Sequence, residues 1–444
     1  MQRDLTSGSV LGNTIYFSLP YLLSYFLQTL YGMADLFIIG QFEGTASTTA
    51  VSIGSQVMHM ITVMIVGLAM GSTVTIGRAV GAGDSRQAAD EIGNTVTLFS
   101  GVALGVMTLL LFCVRPIVSV MSTPEQAVEG AVRYLTICFV GIPFITAYNV
   151  ISSIFRGMGD SRSPMKFIAV ACAANIGLDY LFMGAMHMGP AGAALGTTLS
   201  QALSVAVSLA VIRRRGAQIS LQKSNFKPDR KRISQILRVG VPVCVQDGFV
   251  QISFIIITII ANNRGLVDSA AVGIVEKIIG FLFLIPSSML STVSALGAQN
   301  IGAGKPERAV ETLKYAIYLS CGVGLVIAVG VQFIAEPMVA LFTKDAAVAA
   351  AGGPYLRGYV WDSFFAGVQF SFSGYFCACG RSELSFLHNF LSIVFVRIPG
   401  AYLTSSLFAD TLFPMGLASA CGSVFSIIVC VISFAVMRRR AEFH

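Results

Sequence analysis

Apolar residues along this chain run in long blocks, and the polar residues between them come in short bursts. Twelve blocks stand out, at roughly 13–39, 50–75, 92–114, 131–154, 164–186, 191–212, 234–261, 270–296, 312–335, 352–376, 384–407 and 412–436. Each is near or above the ~20 residues that a helix needs to cross the hydrocarbon of a bilayer. None shows the ~10-residue alternating segments of a membrane barrel. Lipid also forces every backbone group to find its partner within the segment. The pattern predicts an all-α integral membrane protein with twelve transmembrane helices.

Composition removes the competing classes. The chain has 444 residues, 55% of them apolar and 11% charged, with a mean hydropathy of +0.76. A soluble domain carries about 25% charged residues. Disorder needs low hydrophobicity with high net charge, and neither is present. The net charge of +7 would suit a nucleic-acid protein, but the basic residues sit in short clusters between spans and form no face. No nucleic-acid partner is expected. The nine cysteines lie mostly inside apolar blocks without the paired spacing of a zinc site, so they read as small buried hydrophobes. Residues 1–12 are polar and the first apolar block is too long for a signal peptide, so no cleavable leader is expected.

Placing the amino terminus in the cytoplasm puts 22 of the 29 lysines and arginines on that side, including nine between Arg213 and Arg238. The outer side holds four: Arg115, Arg133, Arg264 and Lys344. Lys277, Arg357 and Arg397 fall within or at the edge of spans. This is a strong positive-inside bias, and it predicts that both termini are cytoplasmic.

The chain also repeats itself. VGAGDSRQA at 80–88 matches IGAGKPERA at 301–309, an offset of 221 residues. The same offset pairs Tyr134-Leu135 with Tyr355-Leu356, Gly159 with Gly380 and Ser161 with Ser382, while PAGAALG at 190–196 matches PMGLASA at 414–420 after a shift of three. The expected organisation is an amino-terminal lobe over 1–212, a basic cytoplasmic connection over 213–233 and a carboxy-terminal lobe over 234–444. Halves with an even number of spans insert in the same orientation, as parallel repeats do. Two similar bundles that rock about a central site suit alternating access. The GAG segments lack the spacing of a phosphate loop and read as tight turns opening helices.

Carboxylates inside spans cost about 2.5–3.5 kcal/mol each on insertion scales, so each needs a reason. Asp35 stands on the first predicted helix, fifteen residues after Pro20, which is expected to kink it. Asn175 and Asp179 are four residues apart and share one helix face. Thr197 and Tyr134 could complete a polar cluster with them. Paired carboxyls in a poorly hydrated cavity titrate as a coupled unit, which suits proton exchange. The same oxygens, with Asn and Thr, suit a sodium ion equally, and the competing reading is that they only bond neighbouring helices. The second half carries Gln246, Asp247 and Gln251 on the seventh predicted helix, Glu276-Lys277 on the eighth and Asp362 on the tenth. Glu276 and Lys277 could neutralise each other, and Asp362, toward the start of its helix, could be interfacial. His59 and His388 have no partnered acid, and no nucleophile–base or metal constellation points to an enzyme.

These motifs resemble those of the multidrug and toxic compound extrusion (MATE) family over essentially the full chain. They are Pro20 and Asp35 with IIG at 38–40, GAGD at 81–84, RGMGD at 156–160, NIGLD at 175–179, GAALGTT at 192–198 and AQNIGAG at 298–304. The resemblance implies twelve helices in two six-helix lobes forming a V. It implies a non-enzymatic antiporter in the plasma membrane, without a cofactor, that exports amphipathic organic cations in exchange for H⁺ or Na⁺. The family's amino-lobe cation site falls on Asp35, Asn175, Asp179, Thr197 and Tyr134, and Pro20 matches the proline where the first helix bends. The glutamate that some members carry on helix 7 falls on Gln251, which cannot ionise. Asp362 does not align with the acid expected on helix 10. Asp247, Glu276 and Asp362 remain carboxy-lobe candidates for substrate or cation. A monomer is expected. The alternative is a flippase of lipid-linked precursors on a related two-lobed fold, which would favour a lysine- and arginine-rich cavity.

Overall fold

The computed structural model describes residues 5–215 and 221–441. Residues 216–220, inside the predicted connection 213–233, and both ends of the chain, with Arg3, lie outside the described residues. Among those described there is no strand. The helices are α1 (Val10–Phe42), α2 (Thr45–Gly81), α3 (Ser85–Val120), α4 (Glu125–Val140), α5 (Ile142–Gly157), α6 (Arg162–Asp179) and α7 (Gly189–Arg215). They continue as α8 (Arg230–Asn262), α9 (Leu266–Leu282), α10 (Leu284–Gly302), α11 (Pro306–Ala340), α12 (Ala346–Ala378), α13 (Ser382–Ser392), α14 (Ile398–Leu407) and α15 (Phe413–Ala441). One π-helical turn, Tyr180–Ala185, follows α6 and another, Ile393–Arg397, joins α13 to α14.

Each of the twelve apolar blocks lies on one of these helices or on a consecutive set. Ten are long and apolar enough to cross a membrane, and the pair α4 and α5, bent by 48°, makes eleven. The remaining long helix, α12, has 33 residues and is mostly buried against α9, α10, α11 and α15. A helix wrapped by others needs little apolar surface for lipid, so it tolerates Arg357, Asp362 and Gln369. Asp362 is not interfacial: it stands mid-helix and is fully buried.

The repeat is visible in the element bounds. Helix α3 starts at Ser85 and α11 at Pro306, and α2 spans the positions that α9 and α10 share in the second half. The GAG segments are turns, with Gly83 at φ 72° and Gly304 at φ 71°, where a side chain would be strained. Asp84 caps α3 by accepting from the backbone N–H of Gln87 at 2.8 Å.

Clustering divides the chain into two compact units. One holds Leu19–Gly240. Its main core lies among Ile38, Ile39, Val51, Leu135, Phe139, Ile142 and Ala194, contributed by α1, α2, α4, α5 and α7. The other unit holds Leu5–Ser18 with the chain from Val241 on. Its core gathers Val272, Val275, Ala335, Tyr355, Leu356 and Met415, contributed by α9, α11, α12 and α15. Helices α1 and α8 each begin in one unit and end in the other, and each changes over beside a proline, Pro20 or Pro242. Helix α1 runs on through Pro20 as one element.

The segments that lead into these two helices are tied down. Lys305 Nζ donates to the Thr6 carbonyl at 2.9 Å, and Arg308 Nη2 to that of Gly8 at 3.1 Å. Ahead of α8, Asn225 Nδ2 donates to Asp90 Oδ1 at 2.6 Å, and Thr97 Oγ1 to the Phe226 carbonyl at 2.8 Å. Arg232 spans Asp90 at 2.8 Å and Glu91 at 3.0 Å.

Candidate functional site

In the first unit, three helices bring four of the sequence-predicted residues together. Asp35 sits on α1, three residues before its core position Ile38, and is 3% exposed. Helix α6 supplies Asn175 and, one turn on, Asp179 at its last residue, 1% and 0% exposed. Helix α7 supplies Thr197, whose hydroxyl donates to Asp35 Oδ2 at 3.1 Å. Asp179 and Asn175 face the Asp35 carboxyl from α6. Gly196 lets α7 come up against Asp179, since a Cβ there would overlap Asp179 Oδ1.

The chemistry of this cluster lies in what is left over. Asp35 Oδ1, both carboxyl oxygens of Asp179 and both amide atoms of Asn175 are buried without a hydrogen-bond partner of good geometry. Buried polar atoms are normally paired, because stripping them of water is costly. Two carboxyls and an amide left unpaired side by side make a strong pull for one positive charge. Hard oxygen donors of this kind accept a proton or a small hard cation. Among the described residues no group of three His, Cys, Asp or Glu side chains forms a metal cluster.

Tyr134, predicted for this cluster, directs its hydroxyl to Ser55 at 3.1 Å and stays within electrostatic range of Asp35. Two residues that the sequence reading missed stand beside it. Tyr31 lies one turn before Asp35 on α1, and Gln201 one turn after Thr197 on α7, and the two side chains approach each other. The signal was present, as each is four residues from a predicted position on the same helix face.

The second unit has its own buried polar group. Ser423 donates to Asp362 Oδ1, and Gln369 Nε2 donates to Ser423 at 2.9 Å. Arg397 Nη2 lies 3.6 Å from Asp362 Oδ2 and donates to the Tyr359 hydroxyl at 2.5 Å. Thr258 donates to Glu276 Oε2 at 3.4 Å, and Arg397 is the charge acting on Glu276. Lys277 is exposed, so the suggested pairing of Glu276 with Lys277 gives way to Arg397. Adjacent residues on a helix point about 100° apart, which is why sequence adjacency misled. Gln251 and Asp247 are half-buried on α8, outside this network, while Gln246 accepts from Ser385 at 2.7 Å. His388 is a satisfied core residue between Ser373 at 2.8 Å and Ser426 at 2.6 Å.

Comparison with known proteins follows the same two halves. The MatE family profile matches residues 20–181 and again 242–403. The "Probable multidrug resistance protein YpnP" of Bacillus subtilis is 28% identical over 404 residues, covering 91% of this chain and 90% of that protein. The "Multidrug export protein MepA" of Staphylococcus aureus is 23% identical over 400 residues, covering 89% and 88%. A solved structure, of an outward-facing multidrug resistance MATE family transporter of the MOP superfamily, matches with a TM-score of 0.91. That match covers 99% of this chain and 98% of the other at 22% identity.

Proposed function

Because the chain belongs to the MatE family of multidrug efflux transporters, we propose that it exports organic cations in exchange for protons or sodium ions by alternating access. It is a multi-pass membrane protein and not an enzyme. The observation that carries the coupling is the set of unpaired buried atoms on Asp35, Asn175 and Asp179. Two carboxyls at one dry site repel each other when both are ionised, so the pair gains most by taking up one cation. A cationic substrate is drawn to the same negative charge, the more strongly where water is excluded. Cation and substrate then weaken each other's binding, by equal factors as linkage requires. In the outward state the cation binds and the substrate leaves. In the inward state the cation leaves and the freed carboxyls favour the next substrate.

The charge bias along the chain supports cytoplasmic placement of both termini and of the connection 213–233 between lobes 1–212 and 234–444. A flippase of pyrophosphate-linked lipids would need several basic side chains together: of the three span cations Lys277 is exposed and Arg397 is engaged by Asp362 and Tyr359, which leaves Arg357, with its Nε buried and unpaired.

The test is efflux from proteoliposomes under an imposed proton gradient, then a sodium gradient. Asp35→Asn keeps size and hydrogen bonding but cannot ionise, and it should abolish ion-driven efflux while the protein remains folded. Asp179→Asn should act alike, and the double variant should be no worse than either single one, because the groups form one network. Ion-driven efflux at the parent rate in Asp35→Asn would remove Asp35 from coupling.

A further inference from the structure

The buried polar group of the second unit stands at the repeat counterpart of the first unit's site, although its acids come from other positions. At the 221-residue offset, Asp35, Asn175 and Asp179 become Ile256, Val396 and Gly400, none of which ionises. Arg397, next to Val396, and Thr258, two residues on from Ile256, instead face Glu276. The same offset pairs Tyr134 with Tyr355, Ser55 with Glu276 and Cys138 with Tyr359. In the first unit Tyr134 and Cys138 lie within electrostatic range of Asp35. In the second, Tyr355 and Tyr359 lie within range of Glu276, Asp362 and Arg397. Each group also adjoins a π-helical turn, one right after Asp179 and one ending at Arg397. Such turns are frequent at functional sites.

The two places differ by one charged side chain. The first unit presents two carboxyls and no basic group among the residues that face Asp35. The second presents two carboxyls and a guanidinium. Arg397 is 8% exposed, pairs with Asp362, and lies over the Phe254 ring at 5.1 Å from its centre. A guanidinium keeps its proton throughout the physiological range, and this one is attached to the chain. It cannot be released and rebound on each cycle.

We infer that Arg397 is a tethered cation which takes, in the second unit, the place that an exchangeable cation takes in the first, and so confines ion exchange to the Asp35 site. The inference rests on the proposed coupling role of Asp35 and Asp179. It makes Arg397 a residue that sets how many ions are exchanged per substrate.

The experiment counts cations moved per substrate, as proton flux and as sodium flux, for the full chain in proteoliposomes. Arg397→Gln leaves Glu276 and Asp362 as an uncompensated pair, the same charge count as the first unit. The count should rise by roughly one cation per substrate, since removing one fixed positive charge makes room for one mobile charge. Arg397→Lys keeps the charge and should keep the parent count. A folded Arg397→Gln protein with the parent count overturns the inference, as does a raised count in Arg397→Lys. Should Arg397→Gln not fold, Arg397→Gln with Asp362→Asn removes both charges of the pair. Its count should equal the parent's, and a changed count overturns the inference. Asp35→Asn in the same assay separates the two readings. If it retains ion exchange, the first-unit site fails; if it loses exchange while Arg397→Gln gains none, only the role of Arg397 fails.

Discussion

Asp179 reaches its place because residue 196 has no side chain. A Cβ on residue 196 would overlap the Asp179 carboxyl, which cannot retreat because it is fully buried at the end of α6. Gly196→Ala should therefore displace Asp179 and weaken ion-driven efflux at least tenfold. Its stability cost should be only about 1–3 kcal/mol, the range of a small overpacking. Efflux and a thermal melt on the same preparation check both halves, and an unimpaired Gly196→Ala transporter would mean that Asp179 need not be held there. Much of this site was legible beforehand. Carboxylates inside apolar blocks are costly enough to stand out, so Asp35 and Asp179 are legible in the sequence, and Asn175 and Thr197 follow from the helix face shared with Asp179 and from the NIGLD and GAALGTT motifs that hold them. Gln201 and Tyr31 were not, because a neutral polar residue in a span carries no comparable warning. Arg397 was seen as a span-edge cation but not as the partner of Asp362. That pairing joins residues of two different helices, and nothing in the local pattern encodes it.

Prolines explain where the two halves differ as elements. Pro143 stands at the start of α5, where it cannot donate the backbone hydrogen bond that would continue α4, and the chain bends by 48°. Its counterpart at the repeat offset is Phe364, and α12 runs through unbroken. Conversely, Pro286 falls in the first turn of α10, just after the break from α9, while its counterpart Ile65 lies inside the continuous α2. The twelve blocks were readable from apolarity alone, but these breaks were not, because apolarity does not register a missing N–H. Another element-scale contact is electrostatic. The Glu91 side chain is 1% exposed and is paired through Arg232 at the start of α8. Arg232→Met would strand that carboxylate. Losing one partner of a buried pair costs about 3–5 kcal/mol, and the 23% exposure of Arg232 places this case near ~2–3 kcal/mol. Arg232→Met should melt clearly below the parent, and adding Glu91→Leu should recover most of the loss. No recovery in the double variant would mean that the stability comes from the Arg232 stem packing rather than its charge.

At the scale of the whole molecule, the exchange between the two units has a bearing on how such a chain can be divided. Residues Leu5–Ser18 belong with the second unit and the stretch up to Gly240 with the first, so neither sequence half encodes a complete bundle. If the chain is cut in the connection and the two pieces are expressed apart, each should lack a helix end that its core requires and be degraded. Expressed together, they should restore export, each lending its piece to the other. Stable accumulation of either piece alone would show that the exchanged segments are dispensable. The same reasoning runs backward in time. An ancestor made of one six-helix half and grouped in the same way would have traded helix ends with a second copy, as domain-swapped dimers do. Gene fusion would then have joined two copies that already exchanged helix ends. Once joined, the copies no longer had to remain identical, and the positions of Asp35, Asn175 and Asp179 in the first half are held by Ile256, Val396 and Gly400 in the second.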